Sequence, residues 1–121
     1  MADVLIIGDD LTGSNGAATG LARRGLRTVT LRVGEAHEQI TAQRELYDAV
    51  VVTTDSRHAP AAEAARRTAA SVRAGWPASL VSSRCDSTLR GNVGAQAQAV
   101  IDTVRSLTDR EVIGLCMPAF P

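Results

Sequence analysis

Short apolar runs alternate with longer stretches of helical spacing along the whole chain. Asp3 to Gly8, with Val-Leu-Ile-Ile at its centre, shows no polar alternation and predicts a strand buried on both faces. A polar loop, Asp9 to Ser14, leads to a helix over Asn15 to Arg24, where Ala17, Ala18, Leu21 and Ala22 form one apolar face and Gly25 suits the C-terminal cap. Thr28 to Val33 predicts a second strand, and the polar stretch Glu35 to Leu46 a second helix. The β-branched run Ala49 to Thr54 predicts the third strand. Pro60 stands where a helix tolerates proline, in its first turn, and the Ala- and Arg-rich segment to Arg73 follows before Gly75 and Pro77 close it. Ala78 to Ser83 reads as strand four and Val112 to Met117 as strand five. Between them lies an amphipathic helix, Val93 to Leu107, with Val93, Ala97, Val100, Val104 and Leu107 on one stripe.

Regular alternation of this kind predicts an α/β fold: a mostly parallel sheet of about five strands with helices on both faces. Ligands of such sheets bind beyond the carboxyl ends of the strands. The polar clusters obey that rule. Gly8-Asp9-Asp10-Leu11-Thr12-Gly13-Ser14-Asn15 follows strand one, and Thr54-Asp55-Ser56-Arg57-His58 follows strand three. Arg84-Cys85-Asp86-Ser87-Thr88-Leu89-Arg90-Gly91-Asn92 follows strand four, and Pro118-Ala119-Phe120-Pro121 follows strand five. The loops of the opposite edge, such as Arg24-Gly25-Leu26-Arg27 and Ala74-Gly75-Trp76-Pro77, are poor in such groups.

Composition adds limits. The 121 residues suffice for one domain, and with one Phe, one Tyr and one Trp the core must be aliphatic. Thirteen acidic and 13 basic residues balance, which leaves no electrostatic footprint for nucleic acid or an anionic membrane. Every basic residue is arginine, which excludes a lysine-dependent mechanism from this chain. No apolar run approaches the roughly 20 residues of a membrane span. Cys85 and Cys116 show neither CxxC nor zinc spacing, so no metal site is expected and a cytoplasmic protein with reduced thiols is.

The Arg84–Asn92 segment carries the strongest chemistry. Arginines supply charge and fixed donor geometry for an oxygen-rich anion, Gly91 allows close backbone approach, and the helix opening at Val93 adds free N–H groups. The alternative is a turn whose hydroxyls and amide merely cap the next helix. Asp9 and Asp10 are placed to orient hydroxyls, bind Mg²⁺ or accept a proton, unless one of them only caps the first helix. Arg57 is a candidate for pairing a substrate anion, or simply a neighbouring acid. Gly8, Gly13, Gly16 and Gly20 fit neither G-x-G-x-x-G nor a P-loop.

Taken in order, Gly-Asp-Asp-Leu-Thr-Gly-Ser-Asn, Arg-Arg-Gly-Leu-Arg-Thr, Thr-Asp-Ser-Arg-His, Asp-Ser-Thr-Leu-Arg-Gly-Asn and Pro-Ala-Phe-Pro resemble the N-terminal domain of the four-carbon acid sugar kinases, which include D-threonate, D-erythronate and 3-oxo-tetronate kinases. The resemblance spans essentially the whole chain. It implies ATP-dependent phosphorylation of the terminal hydroxyl of a short sugar acid. Residues 1–121 would form the sugar-acid-binding domain, and a C-terminal kinase domain beyond this chain would supply most of the site for ATP and Mg²⁺. Asp9, Asp10, Arg57, Asp86, Ser87, Arg90 and Asn92 match the family's site motifs, with Asp86, or failing it Asp10, as the proton acceptor. Arg84 stands where the family usually has lysine, and Gly16 where it often has aspartate. The chain alone would be a fragment or truncated product, inactive as a kinase and prone to self-association through an uncovered sheet face. Two other classes stand beside this one. A non-catalytic sugar-acid-binding module would use the same residues. A phospho-receiver domain would explain Asp9, Asp10, Asp55 and Ser83, but it needs a lysine where Met117 stands.

Overall fold

Parallel strands cannot be joined by tight turns, so each needs a crossover, and here helices supply them. A computed structural model describes residues 1–32, 34 and 37–117. Strand and helix alternate as β1 (Val4–Gly8), α1 (Leu11–Ala22), β2 (Thr28–Arg32), α2 (Glu38–Arg44), β3 (Ala49–Thr53), α3 (Ala61–Gly75), β4 (Leu80–Arg84) and α4 (Val93–Leu107). The strands form one four-stranded sheet in the order β2-β3-β1-β4, and every pairing is parallel. The expected α/β class holds.

The register explains which side chains meet. Val29, Val50, Leu5 and Val81 lie side by side across the sheet, and Leu31, Val52, Ile7 and Ser83 form the next row on the same face. Ile40, Val72, Val100 and Val104, from α2, α3 and α4, complete one core cluster with these rows. Each fully buried aliphatic side chain in it contributes roughly 1.5–3 kcal/mol. Small residues let α3 come close: Ala64, Thr68, Ser71, Val72 and Gly75 form its buried stripe. A Cβ on Gly75 would stand 2.5 Å from a Leu5 methyl. Helix α1 contributes nothing to this cluster and packs on all four strands, which, with right-handed crossovers, places it on the other face. Since α1 leaves β1 toward one face while α3 and α4 pack on the other, the carboxyl end of β1 is a switch point of the kind where open α/β sheets bind ligands.

Several boundaries differ from expectation, and β4 runs Leu80–Arg84 instead of Ala78–Ser83, which makes Arg84 its last residue. Helix α1 begins at Leu11, because Asp10 caps it and draws Thr12 to Ser14 into the helix instead of the loop. Helix α2 is confined to Glu38–Arg44. Val112 to Met117, expected as a fifth strand, pairs with no strand among the described residues, and Ile113 is 82% exposed. Its apolar run satisfies the composition of a strand, but a strand also requires backbone partners, and β4 forms the sheet edge instead. Val33 of the second strand, Glu35 and Ala36 of the second helix, and the Pro-Ala-Phe-Pro cluster at 118–121 lie outside the described residues. Among the described residues no helix is long and apolar enough to cross a membrane.

Candidate functional site

The loops after β1, β3 and β4 converge on a cleft of about 160 Å³. That is below the roughly 300–1,000 Å³ of sites for drug-sized ligands and suits a metabolite of few carbons.

The first wall grows from β1. The chain turns at Gly8, where a Cβ would lie 2.2 Å from the Ser14 hydroxyl, so only glycine admits the first turn of α1 this close to the strand end. Asp10 follows in extended conformation, and its Oδ1 accepts from the Gly13 N–H at 3.1 Å as the N-cap. Asp9, just before it, is only 3% exposed.

The second wall follows β3. Backbone bonds continue the sheet register past the strand ends: Thr54 N–H donates to Gly8 O at 2.9 Å and Ser56 N–H to Asp9 O at 3.0 Å. This brings Arg57 over Asp9. Arg57 Nε and Nη2 donate to the two Asp9 oxygens at 3.1 Å each, a bidentate pair. The same Nη2 lies 3.2 Å from Asp10 and 3.6 Å from Asp86, so one guanidinium binds three carboxylates. Its pKa is raised, first by the hydrogen bonds to Asp9.

The third wall is the loop after β4. Asp86, 8% exposed, organises it: Oδ2 accepts from the N–H and hydroxyl of Thr88 and from Arg90 Nε at 3.0 Å, while Oδ1 accepts from Arg90 Nη2 at 2.8 Å. The Arg90 guanidinium, and after it the Thr88 hydroxyl, hold the Asp86 carboxyl well below the usual carboxylate range. Such a loop needs left-handed backbone at Leu89 (φ 61°) and Gly91 (φ 91°). At Gly91 the approach is also close, since a Cβ would stand 2.7 Å from Asp9 Oδ2.

The structure therefore brings Asp9, Asp10, Arg57, Arg84, Asp86, Ser87 and Arg90 around one cleft. Asn92 is not on its wall. Its amide donates instead to the backbone oxygens of Ser56 at 3.2 Å and Ala59 at 2.8 Å, and it makes no side-chain cap to α4. Of the acidic pair, Asp10 caps α1, as the capping alternative expected, and Asp9 is taken up by Arg57. Arg84 is distinct among the arginines here. It meets the Cys85 carbonyl and, among the described residues, has no carboxylate within ion-pair distance.

Sequence reasoning passed over Thr12, Gly13 and Cys85, which also line the cleft, and Gln96, which reaches the loop after β3 from α4. The signal for Gln96 was a polar residue at core-facing spacing, three after Val93 and four before Val100.

A parallel sheet whose strand ends gather arginines, carboxylates and hydroxyls in a small cleft defines an α/β domain that binds small polar ligands. The chain belongs to the family of sugar-binding N-terminal domains, which it matches over residues 4–121. It is 37% identical, over its whole length, to a D-erythronate kinase of Heliobacterium modesticaldum and covers 27% of that protein. It is 36% identical over 96% of its length to a D-threonate kinase of Salmonella typhimurium, of which it covers 26%. The chain thus spans about a quarter of the length of these curated relatives. A crystal structure from Bordetella bronchiseptica superposes with a TM-score of 0.72 at 36% identity, covering 84% of this chain and 26% of that one. That protein is described as a domain of unknown function with bound citrate, in a domain-swapped dimer.

Proposed function

We propose that this chain is the sugar-acid-binding part of an ATP-dependent kinase that phosphorylates the terminal hydroxyl of a four-carbon sugar acid. The observation that carries the reading is Arg84: among the described residues it is a cation without a carboxylate partner, on a cleft whose other arginines are already paired. Arg84, with the Ser87 hydroxyl beside it, takes the substrate carboxylate. The carboxylate groups orient the sugar hydroxyls. Of the two candidate proton acceptors, Asp10 is the better placed, because a carboxylate as strongly hydrogen-bonded and acidified as Asp86 is a weak base. Asp86 then anchors Arg90 and Arg57.

Phosphoryl transfer needs ATP and Mg²⁺, whose contribution is charge stabilisation at the transferred group. The donor set here does not fit them. Asp9 and Asp86 are taken up by guanidinium and hydroxyl donors, no group of three or more ligating side chains is aimed at a common ion among the described residues, and no phosphate-cradling loop occurs in the sequence. Both groups are therefore assigned to a C-terminal kinase domain, with the reaction in the cytoplasm. The citrate bound by the Bordetella protein supports a carboxylate-reading cleft, and its swapped dimer supports self-association of this chain.

Thermal unfolding of the chain with D-threonate, D-erythronate, the neutral polyol erythritol and ATP tests the division of labour. A ligand at ten times its Kd stabilises the native state by about 1.4 kcal/mol. The acids are expected to raise the melting temperature, and erythritol and ATP to leave it unchanged. A response to ATP but to neither acid would overturn the proposal. In a protein that joins the chain to its kinase domain, coupled ADP release with the four-carbon acids completes the test.

A further inference from the structure

A file of buried hydrogen bonds runs from α4 to the end of β1. Gln96, 2% exposed, donates its amide to the Ser56 hydroxyl at 3.1 Å. The Ser56 and Thr54 hydroxyls are 2.7 Å apart, and Thr54 Oγ1 donates to Gly8 O at 3.1 Å. Because the Gln96 amide nitrogen is only a donor and the Gly8 carbonyl only an acceptor, the file has one direction: amide to Ser56, Ser56 to Thr54, Thr54 to Gly8. Ser56 is held at its other polar atoms too. Its N–H donates to Asp9 O at 3.0 Å, and its carbonyl accepts from the Asn92 amide at 3.2 Å.

Ser56 is the residue before Arg57. Fixing its hydroxyl, N–H and carbonyl fixes the peptide from which the Arg57 side chain starts. Buried hydroxyls and amides cost free energy unless all are satisfied, and an apolar core would hold α4 on the sheet equally well. Placing this polar file at the root of Arg57, within a helix whose neighbouring core positions are valines, has a consequence that packing alone does not need. It ties the guanidinium at the centre of the three carboxylates to the position of α4, the helix that opens straight after the Asp86–Asn92 loop.

We infer that Gln96 and Asn92 are positioning residues for Arg57: α4 grips Ser56 and thereby sets where the Arg57 guanidinium stands in the cleft. The ligand-binding half of this inference rests on the proposed sugar-acid site, while the placement of Arg57 does not. Gln96 acts through Ser56, Asn92 through the Ser56 and Ala59 carbonyls, and neither lines the cleft.

The test uses the chain with Gln96→Leu, which keeps the volume and removes the donor, Asn92→Ala, which releases the Ser56 carbonyl from the loop side, and Thr103→Val as a comparison at another buried polar position of α4. The first readout is the Arg57 Nε–H proton in a ¹⁵N-resolved NMR spectrum, where its bond to Asp9 slows exchange with water. Faster exchange, by tenfold or more, is expected in Gln96→Leu and Asn92→Ala and not in Thr103→Val. The second is the affinity for D-threonate and D-erythronate, expected to fall about tenfold in the same two variants. Should either variant not fold, the other carries both readouts. If both lose stability while Arg57 exchange stays at the wild-type rate, the file is structural only and the inference fails. If the wild-type chain binds no sugar acid yet Arg57 exchange accelerates as expected, the positioning holds and the ligand assignment falls.

Discussion

Replacing Gly91 with alanine separates backbone strain from surface tolerance at the heart of the cleft. Gly91 is exposed, so a reading from accessibility alone gives a neutral change. Its geometry says otherwise. At φ 91° an L-residue with a Cβ carries a left-handed penalty of roughly 1–2 kcal/mol. The new methyl would also stand 2.7 Å from Asp9 Oδ2 and 3.3 Å from Arg57 Cγ. Asp9 Oδ2 is the oxygen that accepts from Arg57 Nε at 3.1 Å, so it cannot retreat without stretching that bond. Losing a hydrogen bond to a charged group costs about 1.5–3 kcal/mol. Together the two effects amount to about 2.5–5 kcal/mol, or roughly 10–20 °C in melting temperature for a domain of this size. Circular dichroism during thermal and urea unfolding measures it. Gly20→Ala is the reference: Gly20 lies inside α1 with open space around its Cα, so alanine there should stabilise by up to about 1 kcal/mol. A Gly91→Ala chain that melts within about 2 °C of wild type would refute the argument, since both the strain and the contact would then be absent.

Other perturbations probe the remaining groups. Arg84→Ala should leave the melting temperature unchanged and weaken sugar-acid binding about 10- to 150-fold, the equivalent of a charge-assisted bond of roughly 1.5–3 kcal/mol; calorimetric titration checks both halves. Arg57→Met should destabilise the chain by about 3–5 kcal/mol in urea unfolding, because Asp9, 3% exposed, loses its bidentate partner and stays buried. Acid should unfold the chain in a defined window. Hydrogen bonds from Arg27 hold Asp48 at about 2 against an ordinary 3.8, and those from Arg66 and Arg67 hold Glu63 at about 2 against 4.5. A carboxyl lowered by folding contributes stability that is complete above its unfolded value and fades as pH falls toward the folded one. Melting temperature should therefore stay flat above pH 4.5 and decline between 4.5 and 2. Asp48→Asn should flatten part of the decline, and high salt should shrink the Asp48 part most, because that pair is exposed whereas Glu63 and Arg67 are half-buried.

Much of this was legible from residue pattern. The Val93–Leu107 stripe gave α4 its observed bounds, and the wholly apolar Val50, Val51 and Val52 marked the central strand β3. What failed did so for physical reasons. Thr12, Gly13 and Ser14 look like loop in composition, yet the Asp10 cap outweighs their poor helix propensity and starts α1 at Leu11. Val112 to Met117 looks like strand, but apolar composition specifies burial and not the neighbour that provides it. Gln96 and Thr103 sit in the buried face of α4, where hydrophobic patterning reads polar residues as solvent-facing. The clustering of charges after the strands was visible in the sequence. Which acid pairs with which arginine was not, because that depends on how β1, β3 and β4 are ordered in the sheet.

The pairing divides the three carboxylates and three arginines of the cleft into two tiers. Asp9 with Arg57, and Asp86 with Arg90, neutralise each other within the protein. The Asp9–Arg57 pair is buried and fixes geometry more than it adds stability, because neither partner can leave without stranding the other, whereas in the second pair Asp86 is buried and Arg90 exposed. Arg84 and Asp10 also line the cleft, the first without an acid among the described residues and the second partly exposed, its Oδ1 shared between the α1 cap and Arg57. On the proposed function these two read the ligand, and the inner tier keeps them in place. The family resemblance puts lysine at the Arg84 position; a lysine offers a point charge, whereas the guanidinium fork offers two parallel donors matched to a carboxylate. An amide analogue of the same shape has one acceptor oxygen for two and no charge to meet the fork. On the proposed function, discrimination of acid from amide therefore falls to Arg84 with Ser87, and discrimination among hydroxyl patterns to Asp10.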